Sequence, residues 1–199
     1  MLSKEFLTER GYCCGHGCLM CPYEPKHTKG NTNIMGYGNI EKKTLIICAL
    51  EVETQGQLDD YDVLYTGVGK VNAAFAATQA IAEAHSLGFH PEVYNYGTVG
   101  SCQAELNGIH RITKFVQRDM NAEPQAPRGV TPFEAGLPYL DFSPDMTPSL
   151  TLGTGDQFVH ELEPWLVENN IEVVDMEAYA IAHVCKRMNV QFTCYKYIT

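Results

Sequence analysis

Two kinds of side chain in this 199-residue chain are spaced to do chemistry: acids at strand ends, and clustered thiols. The acids concentrate at Val174-Asp175-Met176-Glu177-Ala178. Before them, Ile171–Val174 reads as a short strand. After them, Ala178, Ile181, Ala182 and Cys185 recur at i, i+3, i+4 and i+7, the apolar stripe of a helix packed on one face. The carboxylates therefore sit where a strand hands over to a helix, the place where open α/β sheets put their ligand crevices. A carboxylate there accepts hydrogen bonds from a pair of sugar hydroxyls. The alternative is stability alone, because acids favour the positive end of a helix.

The thiols lie in Arg10-Gly11-Tyr12-Cys13-Cys14-Gly15-His16-Gly17-Cys18-Leu19-Met20-Cys21-Pro22-Tyr23. Four cysteines this close, with glycines permitting tight turns, can converge on one metal. Zinc needs four ligands, and Cys13, Cys14, Cys18 and Cys21 supply them. Adjacent cysteines point apart in extended chain, so His16 or His27 is an alternative ligand to Cys13 or Cys14. Cys14, Cys18 and Cys21 also carry the C-x3-C-x2-C spacing of radical-type iron–sulfur centres, but no barrel of adequate length follows. The competing reading is a reduced tail that happens to be rich in cysteine.

Composition limits what these groups can serve. Hydrophobic residues make up 45% and charged residues 19%, enough for a buried core, and the formal net charge is −10. Residues 1–30 sum to +1 and the remainder to −11, which argues against a nucleic-acid groove. No apolar run is long enough for a bilayer, and Met1-Leu2-Ser3-Lys4-Glu5 has no apolar signal core. Cys48, Cys102, Cys185 and Cys194 are scattered through apolar segments as small core residues, so a reducing, cytoplasmic location is expected.

The elements that must position the acids read as α/β. Thr44–Leu50 is a continuous apolar run, the mark of a buried strand, and Glu51-Val52-Glu53 follows as a turn. Asp62–Tyr65 is a strand, Thr66-Gly67-Val68-Gly69-Lys70 a turn, and Asn72–Ala82 an alanine-rich helix. The Gly-x-Gly-Lys lacks the spacing of an ATP-binding loop. Glu92–Tyr96 is a strand ending in the glycine-containing turn Gly97–Ser101. Ile112–Met120 and Ser149–Val159 each carry a strand, Glu161–Asn170 a short helix, and Val190–Thr199 a final strand. Residues 121–149, rich in proline, read as an ordered loop beside the site, from which Phe133 or Tyr139 can close over a ligand. The domain expectation is a cysteine-rich segment over 1–30, a linker over 31–42, and one α/β domain over 43–199.

From Lys43 onward the motifs resemble the nucleoside phosphorylase/nucleosidase superfamily, most nearly its methylthioadenosine/S-adenosylhomocysteine nucleosidases. Five pieces carry the resemblance in order: Ala49–Glu53, Thr66–Lys70, Asn95–Gly100, Thr154–Phe158 and Val174–Cys185. It implies a three-layer α/β domain with a central mixed sheet, acting as an N-glycosyl hydrolase on a purine nucleoside such as methylthioadenosine, with no cofactor for that chemistry. By resemblance, Glu53 is the base for the attacking water, Gly97, Thr98 and Val99 line the sugar and base pocket, Phe158 stacks on the purine, and Met176 and Glu177 hold the ribose. The N-terminal segment resembles a small cysteine-rich domain of uncharacterised function, with zinc or an iron–sulfur cluster as its candidate metal. The family's general-acid aspartate would follow Thr199, so the sheet domain is expected to be C-terminally incomplete, binding nucleoside but hydrolysing it poorly, while a chain extended through that aspartate is expected to be active. A homo-oligomer, with neither nucleic acid nor membrane as partner, is implied. A purine nucleoside phosphorylase is one alternative, although a carboxylate at the nucleophile position repels phosphate. A non-catalytic nucleoside- or metal-binding protein is the other.

Overall fold

The computed structural model describes residues 7, 9–18, 21–32, 42–134, 138–143 and 149–199. The chain divides into two compact units, residues 1–41 and residues 42–199. The expected linker over 31–42 falls, apart from its ends, outside the described residues, as do Leu19 and Met20 of the cysteine segment.

In the first unit, backbone pairing ties Cys13 to the 28–31 turn: Cys13 N donates to Asn31 O at 2.7 Å and Gly30 N to Cys13 O at 2.8 Å. Cys13, Cys21 and Tyr23 are buried together with Cys18 packed against them. The Tyr23 hydroxyl donates to Leu7 O at 3.1 Å, satisfying the polar tip of a buried ring.

The second unit runs β1 (Lys42–Cys48), α1 (Glu51–Thr54), β2 (Val63–Tyr65), α2 (Lys70–Ser86), β3 (His90–Ser101), β4 (Gly108–Gln117), β5 (Leu140–Asp141), β6 (Leu150–Thr154), α3 (Pro164–Glu168), β7 (Val173–Asp175), α4 (Ala178–Arg187) and β8 (Gln191–Ile198). The strands form one mixed sheet in the order β2-β1-β3-β7-β6-β4-β5, and β8 pairs with both β3 and β4. The expected α/β class with a mixed sheet is the observed one. β8 runs parallel to β3 and antiparallel to β4, β4 runs parallel to β6, β6 parallel to β7, and β7 antiparallel to the end of β3. These five pairings close a circuit, so the sheet curls around the Phe115–Phe142–Phe192 cluster, whose ring centroids lie 5.1–6.1 Å apart.

Two local readings change. The glycines at 97–101 do not make a turn: β3 continues through them to Ser101, because β8 pairs with it from Glu92 to Val99 and supplies its ladder bonds. The Glu51–Glu53 turn is a single helical turn whose C-cap, Gln55, is left-handed at φ 47°.

Helix packing follows small side chains. Ala73, Ala77, Ile81 and Ala84 form the buried stripe of α2, and Ala178, Ile181, Ala182 and Cys185 that of α4. The two helices lie against each other and the sheet. A bulkier residue at Ala77 has no space to enter, and overpacking of this kind destabilises by about 1–3 kcal/mol.

Candidate active site

The ends of β1 and β7, with β3 between them, build the site. β1 ends at Cys48, and the chain turns so that Glu53 folds back on it. Glu53 Oε2 accepts from Leu50 N at 3.0 Å, and Oε1 accepts from Thr98 N at 2.8 Å and Thr98 Oγ1 at 2.7 Å. Burial pushes the Glu53 carboxyl up, but the Thr98 and Leu50 donors and the charge of Lys196 outweigh it. The group is held below its ordinary value and is ionised at neutral pH.

β7 ends at Asp175, and Glu177 caps α4. The two acids have different jobs. Asp175 lines the cavity too, but its oxygens are taken up by the fold: it accepts from Thr154 Oγ1 at 2.6 Å and Ala178 N at 3.0 Å, and it pairs with Lys196 Nζ at 3.0 Å. Glu177 faces the cavity, with Oε1 accepting from Gly69 N at 2.8 Å. Gly69 adopts φ 97°, a conformation suited to glycine, so that its amide can point at the acid. Burial, then the charge of Asp175, pushes Glu177 up to about 7.

Glu53, Thr98, Val99, Phe158, Met176 and Glu177 line one cavity of about 450 Å³. The sequence-stated set thus converges, with Gly97 just outside the lining. A Cβ at Gly97 would lie 3.1 Å from Lys196 Nζ and 3.3 Å from Glu53 Oε1, so glycine there lets strand, lysine and acid approach. Phe158 is largely exposed, an open aromatic face at the cavity rim. Phe133 and Tyr139 border other hollows. The hollow with Phe133, about 480 Å³ beside α4, is slightly larger but lacks the glycine strand end and paired acids that make the smaller one chemically apt.

Several charged neighbours of the site stand outside the expected set. Lys196 shares the inward parity of β8 with Phe192, Cys194 and Ile198, and a lysine on an apolar face signals a buried acid. Burial works against its charge, but Asp175 holds its ammonium above the ordinary range. Arg118, 2% exposed, also lines the cavity, and no single-sequence signal marks it. Lys70, after the Gly-Val-Gly turn, is bound to Asp119 and lies 3.7 Å from Asp156.

The four N-terminal thiols form two pairs: Cys13 Sγ–Cys21 Sγ at 3.7 Å and Cys14 Sγ–Cys18 Sγ at 3.4 Å. Among the described residues, no group of three or more His, Cys, Asp or Glu side chains is arranged to hold a metal ion. The expected four-ligand convergence is thus present only pair by pair. Also among the described residues, no helix is long and apolar enough to cross a membrane.

A mixed sheet with helices and a cavity at its strand ends defines this as an α/β domain of the nucleoside-phosphorylase-like fold. Residues 54–199 match the profile of the Phosphorylase superfamily, and the chain belongs to that superfamily. Solved structures of similar fold include the 5′-methylthioadenosine/S-adenosyl homocysteine nucleosidase of Helicobacter pylori (22% identity, 80% of this chain and 84% of that one, TM-score 0.68). The native futalosine hydrolase of the same organism is similar too (21% identity, 80% and 84%, TM-score 0.68). So is a putative 5′-methylthioadenosine/S-adenosylhomocysteine nucleosidase of Francisella philomiragia (22% identity, 79% and 85%, TM-score 0.66).

Proposed function

We propose that this protein is a purine nucleosidase that hydrolyses the N-ribosidic bond of a 5′-substituted adenosine of the methylthioadenosine or S-adenosylhomocysteine kind. The observation that carries the reading is the meeting of Glu53, Glu177 and Phe158 at one cavity. Glu177 accepts hydrogen bonds from the ribose 2′ and 3′ hydroxyls, with Met176 beneath the sugar. Phe158 stacks on the base, and Thr98 and Val99 form the wall between them. Water on Glu53 attacks C1′. The C1′–N9 bond breaks with its electron pair going to the base, a C1′–O bond forms, and the water proton passes to Glu53. Charge develops on sugar and base only as the bond breaks, so groups that stabilise it there raise the rate.

Water is favoured over phosphate because an ionised Glu53 stands at the nucleophile position and repels a phosphate anion. The fold relatives named as nucleosidases and as a hydrolase support the same choice. Incubating the protein with 5′-methylthioadenosine, with and without phosphate, should give equal release of adenine and free methylthioribose. Glu53→Gln should bind the nucleoside yet release base roughly 10²–10⁴-fold more slowly. Phosphate-dependent release of a sugar 1-phosphate would assign a phosphorylase instead, and binding without any cleavage a non-catalytic nucleoside-binding protein.

A homo-oligomer and a cytoplasmic location belong to the same proposal. Val71 and Phe75, one turn apart on α2 and largely exposed, support self-association, which light scattering reads. Zinc or iron–sulfur binding at Cys13, Cys14, Cys18 and Cys21 rests on their spacing in the sequence, since among the described residues the thiols approach one another only in pairs. Elemental analysis of the purified chain tests it.

A further inference from the structure

Arg118 is a cation buried without a counter-charge. Its side chain lies flat on Gly155, where a Cβ would stand 2.9 Å from Cζ. Its Nη2 donates to the carbonyls of Gly155, at 3.2 Å, and of Gln157. Its Nε has no acceptor, the one buried side-chain nitrogen or oxygen among the described residues left so. Among the described residues no carboxylate pairs with it, unlike Lys196, Lys70 and Arg128. A guanidinium kept out of water and given only carbonyl partners is costly to fold around unless something uses its charge.

Its place points to the use. Arg118 lines the same cavity as Glu53 and Glu177, and its Nη2 grips the carbonyl of Gln157, the residue before the aromatic platform Phe158. On the nucleosidase reading, which this step rests on, the two glutamates mark the sugar end and Phe158 the base end. We infer that Arg118 acts on the leaving group, its fixed positive charge stabilising the purine as the base takes the electron pair of the C1′–N9 bond. Arg118 supplies charge and no proton, because guanidinium does not deprotonate in proteins. The base is protonated separately, by a general acid or by solvent, while the water that bonds to C1′ gives its own proton to Glu53. A preorganised charge in a dry site acts where charge develops, and removing one such group slows the chemical step by about 100-fold.

The experiment compares two ribosides on the full chain: 5′-methylthioadenosine, whose base is a poor leaving group, and 4-nitrophenyl β-D-ribofuranoside, whose phenolate needs no help. Arg118→Met and Arg118→Gln should lower kcat on the purine nucleoside about 100-fold, leave KM within about threefold, and change nitrophenol release by less than about threefold. Arg118→Lys, which keeps a charge, should recover part of the purine rate. Gly155→Ala provides an independent route, since its Cβ displaces the guanidinium without removing it, and it should show the same leaving-group pattern. Equal losses on both substrates, or no loss on the purine nucleoside, overturn the assignment and leave the nucleosidase reading standing. If the wild-type chain releases aglycone from neither riboside, the nucleosidase reading falls and the role of Arg118 falls with it.

Discussion

Lys196 Nζ and Asp175 Oδ2 meet at 3.0 Å with both side chains almost wholly out of water. The pair ties β8 to the end of β7, directly under the two glutamates of the cavity, and Asp175 also anchors the first turn of α4 through Ala178 N. Lys196→Met leaves Asp175 buried with no counter-charge. A loss of about 3–5 kcal/mol is expected in urea unfolding. The double change Lys196→Met with Asp175→Leu should recover much of that loss, because an apolar pair needs no desolvation of charge. A double change that proves additive would mean the ion pair is not what holds these strands together.

Glu177 sets a pH dependence whose sign is fixed by its raised value. In the ligand-free fold its carboxyl titrates at about 7 against an ordinary 4.5. The folded state therefore holds this proton more tightly than the unfolded chain. Its contribution to stability is complete below about pH 4.5 and is lost as pH rises through 7. Nucleoside binding should run the other way, since a diol donates both its hydroxyls fully only to the ionised form. Affinity for 5′-methylthioadenosine, read by calorimetry, should rise from pH 6 to pH 8. In Glu177→Gln the profile should be flat and binding weaker by about 2 kcal/mol.

Gly97 is where three groups crowd. Gly97→Ala puts a methyl against an ammonium that Asp175 pins and against Glu53 Oε1, so the acid is the group that gives way. Displacement of a reacting group by about 1 Å is worth about 100-fold in rate. The expected result is a kcat loss of that order with a midpoint of thermal unfolding lowered by only a few degrees. Unchanged kcat would show that Glu53 tolerates a shift.

The thiols should separate by reactivity. Cys14 is drawn down to about 6 by hydrogen bonds from His16, backbone first and then side chain, and from Cys18. Burial drives Cys48, Cys185 and Cys194 up to about 12. Brief iodoacetamide treatment of chelator-treated protein at pH 7, followed by peptide mapping, should label Cys14 first and leave those three untouched until the protein unfolds. Early labelling of Cys185 would contradict the packing of α4.

The legible parts of this protein were those with a period or a local chemical reason. The stripe Ala178, Ile181, Ala182 and Cys185 announces its helix, and the acids before it fall at a strand end as the spacing requires. Glu53, Thr98, Phe158 and Glu177 were found as a set through motif order, and they do share a cavity. What stayed hidden depends on partners far along the chain. β3 runs on through Gly97 only because β8, about a hundred residues later, pairs with it. Arg118 is held by carbonyls of residues 155 and 157, and backbone acceptors leave no trace in side-chain identity. The short α1 was hidden because the carboxylate that fills its N-terminal amide bond is also the one that reaches Thr98.

The strand order carries one more implication. Among the described residues, the outermost strands are β2, three residues long, and β5, two residues long, while the long strands β3, β4 and β8 are enclosed in the circuit of pairings. Rows of open amides and carbonyls are the templates on which chains zip edge to edge, and β2 and β5 offer only short ones. β2 covers only Ile46–Cys48 of β1, and the uncovered stretch opens with Lys42 and Lys43, charges that oppose edge-to-edge pairing at high concentration.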